Sequence, residues 1–271
     1  MKILAIGNSF SQDATRYLQE VSASAGEPLF VRNLYIGGCS LEMHANNIKS
    51  NEPAYQYQID AVGVQKISIP EALKLEDWDY ITVQQVSGRS GKPETYEPYM
   101  AFIIQTIRDA CPKAEILLHR TWAYEIGSGH GNFPAYNRSQ LEMYGAIVAA
   151  TNEYAAKYKL RIIPVGDFIQ LLRNTPPFDF KSGGMTLCRD NFHLSLDYGR
   201  YAAALCWFKF FTGRSAMDVT FVPENTYFLM GDQRTSSIDS RSTVIGCIPY
   251  EQIIGRLFLK VWPIKEVSLL N

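Results

Sequence analysis

The sequence is poor in cysteine, and its five cysteines follow no common pattern for disulfides or metals. No two of them form a Cys-x-x-Cys pair; they are Cys39, Cys111, Cys188, Cys206 and Cys247. Their odd number and their spacing argue against a disulfide framework and against a zinc site of ordinary spacing. The four histidines contain no His-x-His or His-x-x-x-His pair, so we expect no metal ion and no other cofactor.

Long hydrophobic runs are also missing. No segment reaches the roughly 18 consecutive apolar residues that a membrane-spanning helix needs. Near the start of the chain, Lys2 is followed by only four apolar residues before Gly7, which is too short for the core of a secretory signal peptide. We therefore expect a soluble, cytoplasmic protein without a membrane span.

Neither sign of charge is in excess. The chain has 26 Lys and Arg against 27 Asp and Glu, which leaves a net charge of -1 at pH 7. This balance offers no electrostatic reason to expect nucleic acid or an anionic membrane as a partner. With 271 residues, of which 46% are hydrophobic, the chain has enough length for one large domain, or for one domain and an appendage.

What the sequence does contain is an alternation of strand and helix patterns over residues 1–215. The apolar strand patterns lie near 2–6, 29–35, 78–85, 116–120 and 161–165. Amphipathic helix patterns between them predict a parallel sheet covered by helices on both faces. We therefore expect an α/β fold, a three-layer α/β/α sandwich, with a short hairpin around 55–69.

The first strand pattern ends in a turn that carries two hydroxyl groups. Residues 7–11 read Gly-Asn-Ser-Phe-Ser, and a helix pattern follows at about 12–25. A hydroxyl at the carboxyl end of a buried parallel strand lies where open α/β sheets build their sites, so Ser9 is a candidate nucleophile. The alternative is that Ser9 or Ser11 caps the next helix, as serine does well.

Polar and aromatic residues also follow the later strands. Gly38 lies in a glycine turn, where backbone amides can point at an anion because no Cβ blocks the approach. Trp122 and Tyr124 either contact a substrate or pack in the core, whereas His119 and His44 are either structural or peripheral, or contact a substrate. The candidate substrate-binding residues are Asn8, Gln84, His119, Trp122 and Tyr124.

A third group of polar residues lies late in the chain. Asp190 and His193 are separated by two residues on a turn before the last long helix pattern. This spacing lets the carboxylate reach Nδ1 of the imidazole while Nε2 points toward a serine. A serine hydroxyl needs such an oriented base, so Ser9, His193 and Asp190 form a candidate triad. The oxyanion would need donors already in place, for which we expect the amides of Ser9 and Gly38 and one side-chain amide.

In sequence and in order, these blocks resemble the motifs of the SGNH (GDSL-like) hydrolases. Residues 7–11 match the block with the nucleophilic serine, 33–38 the block with the oxyanion glycine, and 190–193 the closing Asp-x-x-His block. The resemblance covers about 1–215 and looks especially like an uncharacterised bacterial branch of that superfamily. It implies a flavodoxin-like sandwich and a serine esterase that acts on small acyl esters, with acetyl groups on carbohydrates as one substrate class.

The third block of that family is altered here. The family places an asparagine in a Gly-x-Asn-Asp motif at this point, whereas residues 83–88 read Val-Gln-Gln-Val-Ser-Gly. A glutamine amide can donate the same hydrogen bond through a longer arm, so we expect Gln85, or else Gln84, as the side-chain donor to the oxyanion. The alteration also keeps open a second interpretation, a non-catalytic protein that binds a glycan in the same cleft.

The end of the chain has a different pattern. Residues 222–241 resemble a block of the type I signal peptidases, with Gln233 where that family has asparagine. Those enzymes use a Ser–Lys dyad and a membrane anchor upstream of the block, and this sequence shows neither the serine motif nor the lysine strand. We expect 216–271 to be a β-rich, non-catalytic appendage to a hydrolase domain at 1–215; a serine protease role through the tail is the rival hypothesis.

Overall fold

The structure is a computed structural model that describes residues 1–221 and, after them, the backbone of four two-residue strands. The chain divides into two compact units, Met1–Phe221 and Val222–Asn271. Within the second unit the short strands form two antiparallel pairs: Thr226–Tyr227 with Ile248–Pro249, and Leu259–Lys260 with Ser268–Leu269. The rest of the block that resembles signal peptidases lies outside the described residues.

The first unit is built on a seven-stranded sheet. Its strands are β1 (Lys2–Gly7), β2 (Phe30–Tyr35), β3 (Tyr55–Ile59), β4 (Val62–Ile67), β5 (Tyr80–Val83), β6 (Glu115–His119) and β7 (Arg161–Ile163). They lie in the order β4-β3-β2-β1-β5-β6-β7. The last five strands of this order, which are β2, β1, β5, β6 and β7, run parallel. The predicted α/β fold with its parallel sheet is therefore confirmed.

The predicted hairpin is β3 and β4, but it occupies a place that the sequence analysis did not foresee. Strand β3 pairs antiparallel with β2 and thereby adds the hairpin to one edge of the sheet. The exposed residues of β4 fit this position, because the last strand of a sheet has neighbours on only one side.

Helices cover both faces of the sheet. They are α1 (Ser9–Thr15), α2 (Leu18–Ser24), α3 (Leu41–Ser50), α4 (Ile69–Ala72), α5 (Tyr99–Ala110), α6 (Gln140–Tyr158), α7 (Val165–Leu172) and α8 (Tyr198–Thr212). Alternate residues of β1 enter two different cores, because successive side chains of a strand point to opposite faces. Ile3 and Ala5 pack with α1, α2, α7 and α8, whereas Leu4 and Ile6 pack with α3, α4 and α5. No helix in the described part of the chain combines the length and apolarity needed to cross a membrane.

Candidate active site

The structure brings Ser9, His193 and Asp190 together at the carboxyl end of the parallel sheet. Ser9 is the first residue of α1 and is separated from the end of β1 by Asn8 alone, and its Oγ lies 2.8 Å from Nε2 of His193. Nδ1 of the same imidazole lies 2.7 Å from Oδ2 of Asp190. Because the carboxylate can only accept, it holds the imidazole proton on Nδ1 and leaves Nε2 as the acceptor for the Ser9 hydroxyl.

The Asp190 carboxylate is held by its own turn. Its Oδ1 accepts the backbone N–H of His193 at 2.7 Å and that of Phe192 at 3.2 Å. Partial burial raises the pKa of Asp190, but the hydrogen bonds from His193 outweigh this effect and bring the pKa below its ordinary value. Asp190 is therefore ionised at neutral pH and stabilises a proton on the imidazole.

The Ser9 hydroxyl is available because another residue caps the helix. The side chain of Asn8 accepts the N–H of Phe10 at 3.0 Å, so the N-cap is Asn8, and the alternative of a Ser9 or Ser11 cap is wrong. Ser11 is buried, and its hydroxyl faces two acceptors, the carbonyl oxygen of Asn8 at 2.9 Å and Oδ1 of Asn33 at 2.7 Å. Gly7 makes this tight turn possible, because a Cβ there would lie 2.5 Å from Oγ of Ser11.

The backbone N–H groups of Ser9 and Gly38 are candidates for binding an anion. Gly38 is exposed and has a φ of 66°, a left-handed conformation that suits glycine. Within residues 1–221, neither the N–H of Gly38 nor that of Ser9 donates a hydrogen bond. The side-chain amide of Asn8 donates to the carbonyl of Cys39 at 3.0 Å and so ties the two turns together.

Gln85 lies elsewhere than the sequence analysis expected. It is buried, and its Nε2 donates to the carbonyl and hydroxyl oxygens of Thr95 at 3.0 and 3.1 Å. Its Oε1 accepts the N–H of Leu41 at 3.0 Å and that of Val86 at 2.8 Å. The amide is therefore occupied in bracing the start of α3, and this geometry does not support the expected role of Gln85 as a donor to the oxyanion.

Asn8, Gln84 and His119 form a hydrogen-bonded chain behind Ser9. Nε2 of Gln84 donates to Oδ1 of Asn8 at 2.8 Å, and Oε1 of Gln84 lies 2.7 Å from Nδ1 of His119. Because that glutamine oxygen only accepts, His119 carries its proton on Nδ1. Burial lowers the pKa of His119 to about 3, so the ring is neutral. All three side chains are buried, and this corrects the expectation that they contact substrate.

Trp122 and Tyr124 are fully buried as well, so both residues pack in the core, which is one of the two roles that the sequence analysis considered. The Trp122 ring stacks on Phe10 with centroids 4.2 Å apart, and its Nε1 donates to the carbonyl of Phe192 at 2.7 Å. Trp122 thus touches the neighbour of Ser9 and the neighbour of His193. The Tyr124 hydroxyl lies 2.9 Å from Oγ of Ser87.

His130 is a residue near the site that the sequence analysis missed. It is half-buried in the glycine-rich stretch after β6, and its ring lies 4.8 Å from that of Phe192. Burial and then the nearness of His193 lower the pKa of His130. The available signal was the position of this stretch, since loops that follow parallel strands meet at one edge of the sheet.

Cys39 and His44 also bring a thiol and an imidazole into contact, but both groups are neutral. Sγ of Cys39 lies 3.4 Å from Nδ1 of His44, and both side chains are buried. Burial raises the pKa of Cys39 to about 12 and lowers that of His44 to about 3, so neither is charged at neutral pH. Among the described residues, no group of three or more His, Cys, Asp or Glu side chains is placed to hold a metal ion.

A groove of about 430 Å³ lies away from these groups, and Arg108, Glu115 and Lys159 are among its lining residues. Glu115 begins β6, so the groove lies at the amino end of the parallel strands. Ser9 follows the carboxyl end of β1 and therefore lies at the opposite ends of the parallel strands.

Solved structures share this fold. A DUF4886 family protein from Bacteroides uniformis is 38% identical, with a TM-score of 0.77 over 83% of this chain and 87% of that one. A protein from Slackia heliotrinireducens that is assigned to the SGNH hydrolases has 21% identity and a TM-score of 0.52, over 77% of this chain and 97% of that one. An acetyl xylan esterase has 12% identity and a TM-score of 0.53, over 76% and 98%. The latter two likenesses show a common fold.

Similarity to curated proteins is confined to a short stretch. A probable signal peptidase I-2 from Synechocystis sp. is 41% identical over 50 residues, which are 18% of this chain and 22% of that protein. By contrast, the family model described as Domain of unknown function (DUF4886) matches residues 2–232. Because this match spans most of the sequence, the chain belongs to the DUF4886 family.

Proposed function

We propose that this protein is a serine esterase that hydrolyses small acyl esters. The observation that carries the proposal is the pair of short contacts made by one imidazole. Nε2 of His193 lies 2.8 Å from Oγ of Ser9, and Nδ1 lies 2.7 Å from Oδ2 of Asp190. These are the distances over which a general base accepts a proton and an orienting carboxylate holds that base.

The reaction proceeds in two acyl transfers. Oγ of Ser9 attacks the ester carbonyl while its proton passes to Nε2 of His193, and Asp190 stabilises the imidazolium. Collapse of the tetrahedral intermediate breaks the bond to the alcohol, which leaves with the proton from His193. Water then gives a proton to the same nitrogen and attacks the acyl-enzyme. Collapse of this second intermediate breaks the bond to Oγ of Ser9, which takes the proton back from His193 as the carboxylic acid is released.

The negative oxygen of each intermediate is bound by backbone donors. The N–H groups of Ser9 and Gly38 have no other hydrogen-bond partner in residues 1–221, and each follows one of two neighbouring strands. Donors that are in place before the reaction stabilise the charge without reorganisation, and removing one such donor typically costs about 100- to 1,000-fold in kcat. We include no side-chain amide among these donors, because Nε2 of Gln85 already donates to Thr95.

Acetyl esters of carbohydrates are the substrate class that we propose to test first. Ser9 is half-buried and Gly38 is exposed, and these exposures fit an ester on a bulky alcohol that reaches the hydroxyl from solvent. The acetyl xylan esterase that shares the fold motivates the same choice. Small acyl groups suit an opening of this kind, because no deep apolar tunnel is needed to bury them.

The test is the hydrolysis of p-nitrophenyl acetate, followed by a panel of acetylated sugars. We expect Ser9→Ala to lower kcat by at least about 1,000-fold, because the nucleophile is lost. The matched control is Ser182→Ala, which removes an exposed serine hydroxyl far along the chain. A serine-reactive phosphonate should label Ser9 and no other residue in the wild-type protein.

Two results would overturn the esterase proposal. Equal, slow hydrolysis by the wild-type protein and Ser9→Ala would favour the glycan-binding alternative, which is then tested by the binding of acetylated and unacetylated sugars. A phosphonate adduct within 222–271 in place of Ser9 would favour the protease hypothesis.

A further inference from the structure

We propose that Asp13 and Arg189 are positioning residues that hold the Asp190–His193 turn against the helix of Ser9. This inference rests on the proposed function, since it concerns how the nucleophile and its base are kept in contact. Neither residue is adjacent to the reacting oxygen, so their effect passes through His193.

Asp13 lies one helical turn after Ser9 on α1, and its side chain is fully buried. Four hydrogen bonds reach its carboxylate. Nη1 of Arg189 lies 3.1 Å from both oxygens, Nε of Arg200 lies 2.8 Å from Oδ1, and the N–H of Leu194 lies 3.0 Å from Oδ2. A buried carboxylate needs this degree of pairing, because an unpaired charge in the interior is strongly destabilising.

Two of these partners bracket the turn that carries Asp190 and His193. Arg189 precedes Asp190, and Leu194 follows His193. The two ends of the turn are also joined to each other: the N–H of Arg189 donates to the carbonyl of His193 at 3.0 Å, and Nη1 of Arg189 donates to the carbonyl of Leu194. Asp13 therefore binds a closed turn at both of its ends.

The consequence is a fixed distance between the two catalytic side chains. Ser9 and Asp13 belong to the same short helix, so a turn fixed to Asp13 is also fixed relative to Ser9. If the turn moves away from α1, Nε2 of His193 leaves the 2.8 Å contact with Oγ of Ser9. Proton transfer is steeply sensitive to this placement, and a shift of about 1 Å can cost about 100-fold in rate.

Arg200 provides an internal control. It binds the same carboxylate as Arg189, but it lies on α8 outside the turn. Replacing either arginine by methionine removes one of the two positive charges that are paired with the Asp13 carboxylate, and it keeps a long, unbranched side chain. Only the replacement of Arg189 also removes the side-chain bonds that join one end of the Asp190–His193 turn to Asp13 and to the carbonyl of Leu194.

The experiment compares Arg189→Met with Arg200→Met in the full-length protein. We expect Arg189→Met to lower kcat for p-nitrophenyl acetate by at least about 10-fold with KM within about 2-fold, because placement of the base is lost rather than binding. Arg200→Met should keep kcat within about 3-fold, although both variants lower Tm. Arg189→Lys should recover part of kcat, since lysine restores the charge without the planar guanidinium.

A second readout is independent of turnover. In the wild-type protein and in Arg200→Met, a nuclear Overhauser effect should join the β-protons of Ser9 to the ring protons of His193. We expect it to be lost in Arg189→Met. Equal losses of kcat in the two methionine variants, or a retained Overhauser effect in Arg189→Met, would overturn the positioning role. Absence of hydrolysis by the wild-type protein would overturn the proposed function alone.

Discussion

At the scale of single residues, Asn8 shows how a polar side chain can serve the site without touching substrate. Its Oδ1 accepts the N–H of Phe10 at 3.0 Å and Nε2 of Gln84 at 2.8 Å, while its Nδ2 donates to the carbonyl of Cys39 at 3.0 Å. The first bond starts α1 at Ser9, and the last holds the turn that contains Gly38. One amide thus fixes both the proposed nucleophile and the proposed oxyanion donor.

Two substitutions of Asn8 separate these roles. Asn8→Ala removes all three bonds and should lower the free energy of unfolding by at least about 1 kcal/mol, the usual cost of losing a cap. Asn8→Asp keeps both acceptor bonds but cannot donate to the carbonyl of Cys39. We expect both variants to lower kcat. Hydrolysis of p-nitrophenyl acetate measures kcat, and urea unfolding measures the loss of stability. Wild-type kcat in Asn8→Asp would contradict a role for the bond to Cys39.

At the scale of one element, the turn from Asp190 to His193 depends on a left-handed residue. Asn191 has a φ of 64°, and its carbonyl accepts the N–H of Glu125 at 2.7 Å. Asparagine tolerates this conformation better than most residues, because its short polar side chain can bond locally. The conformation reverses the chain so that both backbone N–H groups of 192–193 reach the Asp190 carboxylate.

Substitution of Asn191 tests the need for this conformation. Asn191→Ala places a less tolerant residue at positive φ and should cost about 1 kcal/mol in the free energy of unfolding and lower kcat. Asn191→Gly is the matched control, because glycine adopts this conformation without a Cβ penalty. Thermal unfolding and ester hydrolysis measure the two effects. If alanine and glycine behave alike, backbone conformation at 191 is not what shapes the turn.

The elements also show how far local patterns reach. The strand and helix patterns predicted the alternation of strands and helices in the parallel part of the sheet. Such buried strands consist of consecutive apolar residues, because successive side chains such as Leu4 and Ala5 face the two opposite cores. They predicted one helix at 12–25, whereas the chain forms α1 and α2. They also did not foresee that the hairpin joins β2, since edge pairing depends on contacts between segments rather than on pattern within one.

At the scale of the whole molecule, two buried neutral histidines couple folding to pH. Burial lowers the pKa values of His44 and His119 to about 3, whereas a histidine in an unfolded chain takes up a proton near pH 6.5. Between these values the unfolded state therefore binds more protons than the folded state. Stability is fully present above about pH 6.5 and falls as the pH is lowered, by up to about 1.4 kcal/mol per pH unit for each histidine.

The pH dependence can be assigned by substitution. His119→Gln removes one of the two titrating groups and keeps a donor for Oε1 of Gln84, so the slope of unfolding free energy against pH between about 4.5 and 6.5 should decrease by up to about 1.4 kcal/mol per unit. Urea unfolding at several pH values measures this slope. His130→Gln, at a half-buried histidine, should change it less. An unchanged slope in His119→Gln would mean that this ring takes up its proton in the folded state too.

The sequence by itself determined the α/β fold and identified Ser9, Gly38, Asp190 and His193 as candidate site residues. Both are possible because the strand patterns and the turn residues can be recognised within short stretches of sequence. The structure brings the serine, the histidine and the carboxylate within hydrogen-bond distance of one another. Only the tertiary structure decided which polar groups stay open to solvent. The five candidate substrate-binding residues (Asn8, Gln84, His119, Trp122 and Tyr124) are buried, and Gln85, which is buried as well, donates to Thr95. The pairing of Asp13 with Arg189, far apart in sequence, likewise follows from packing that no local pattern encodes.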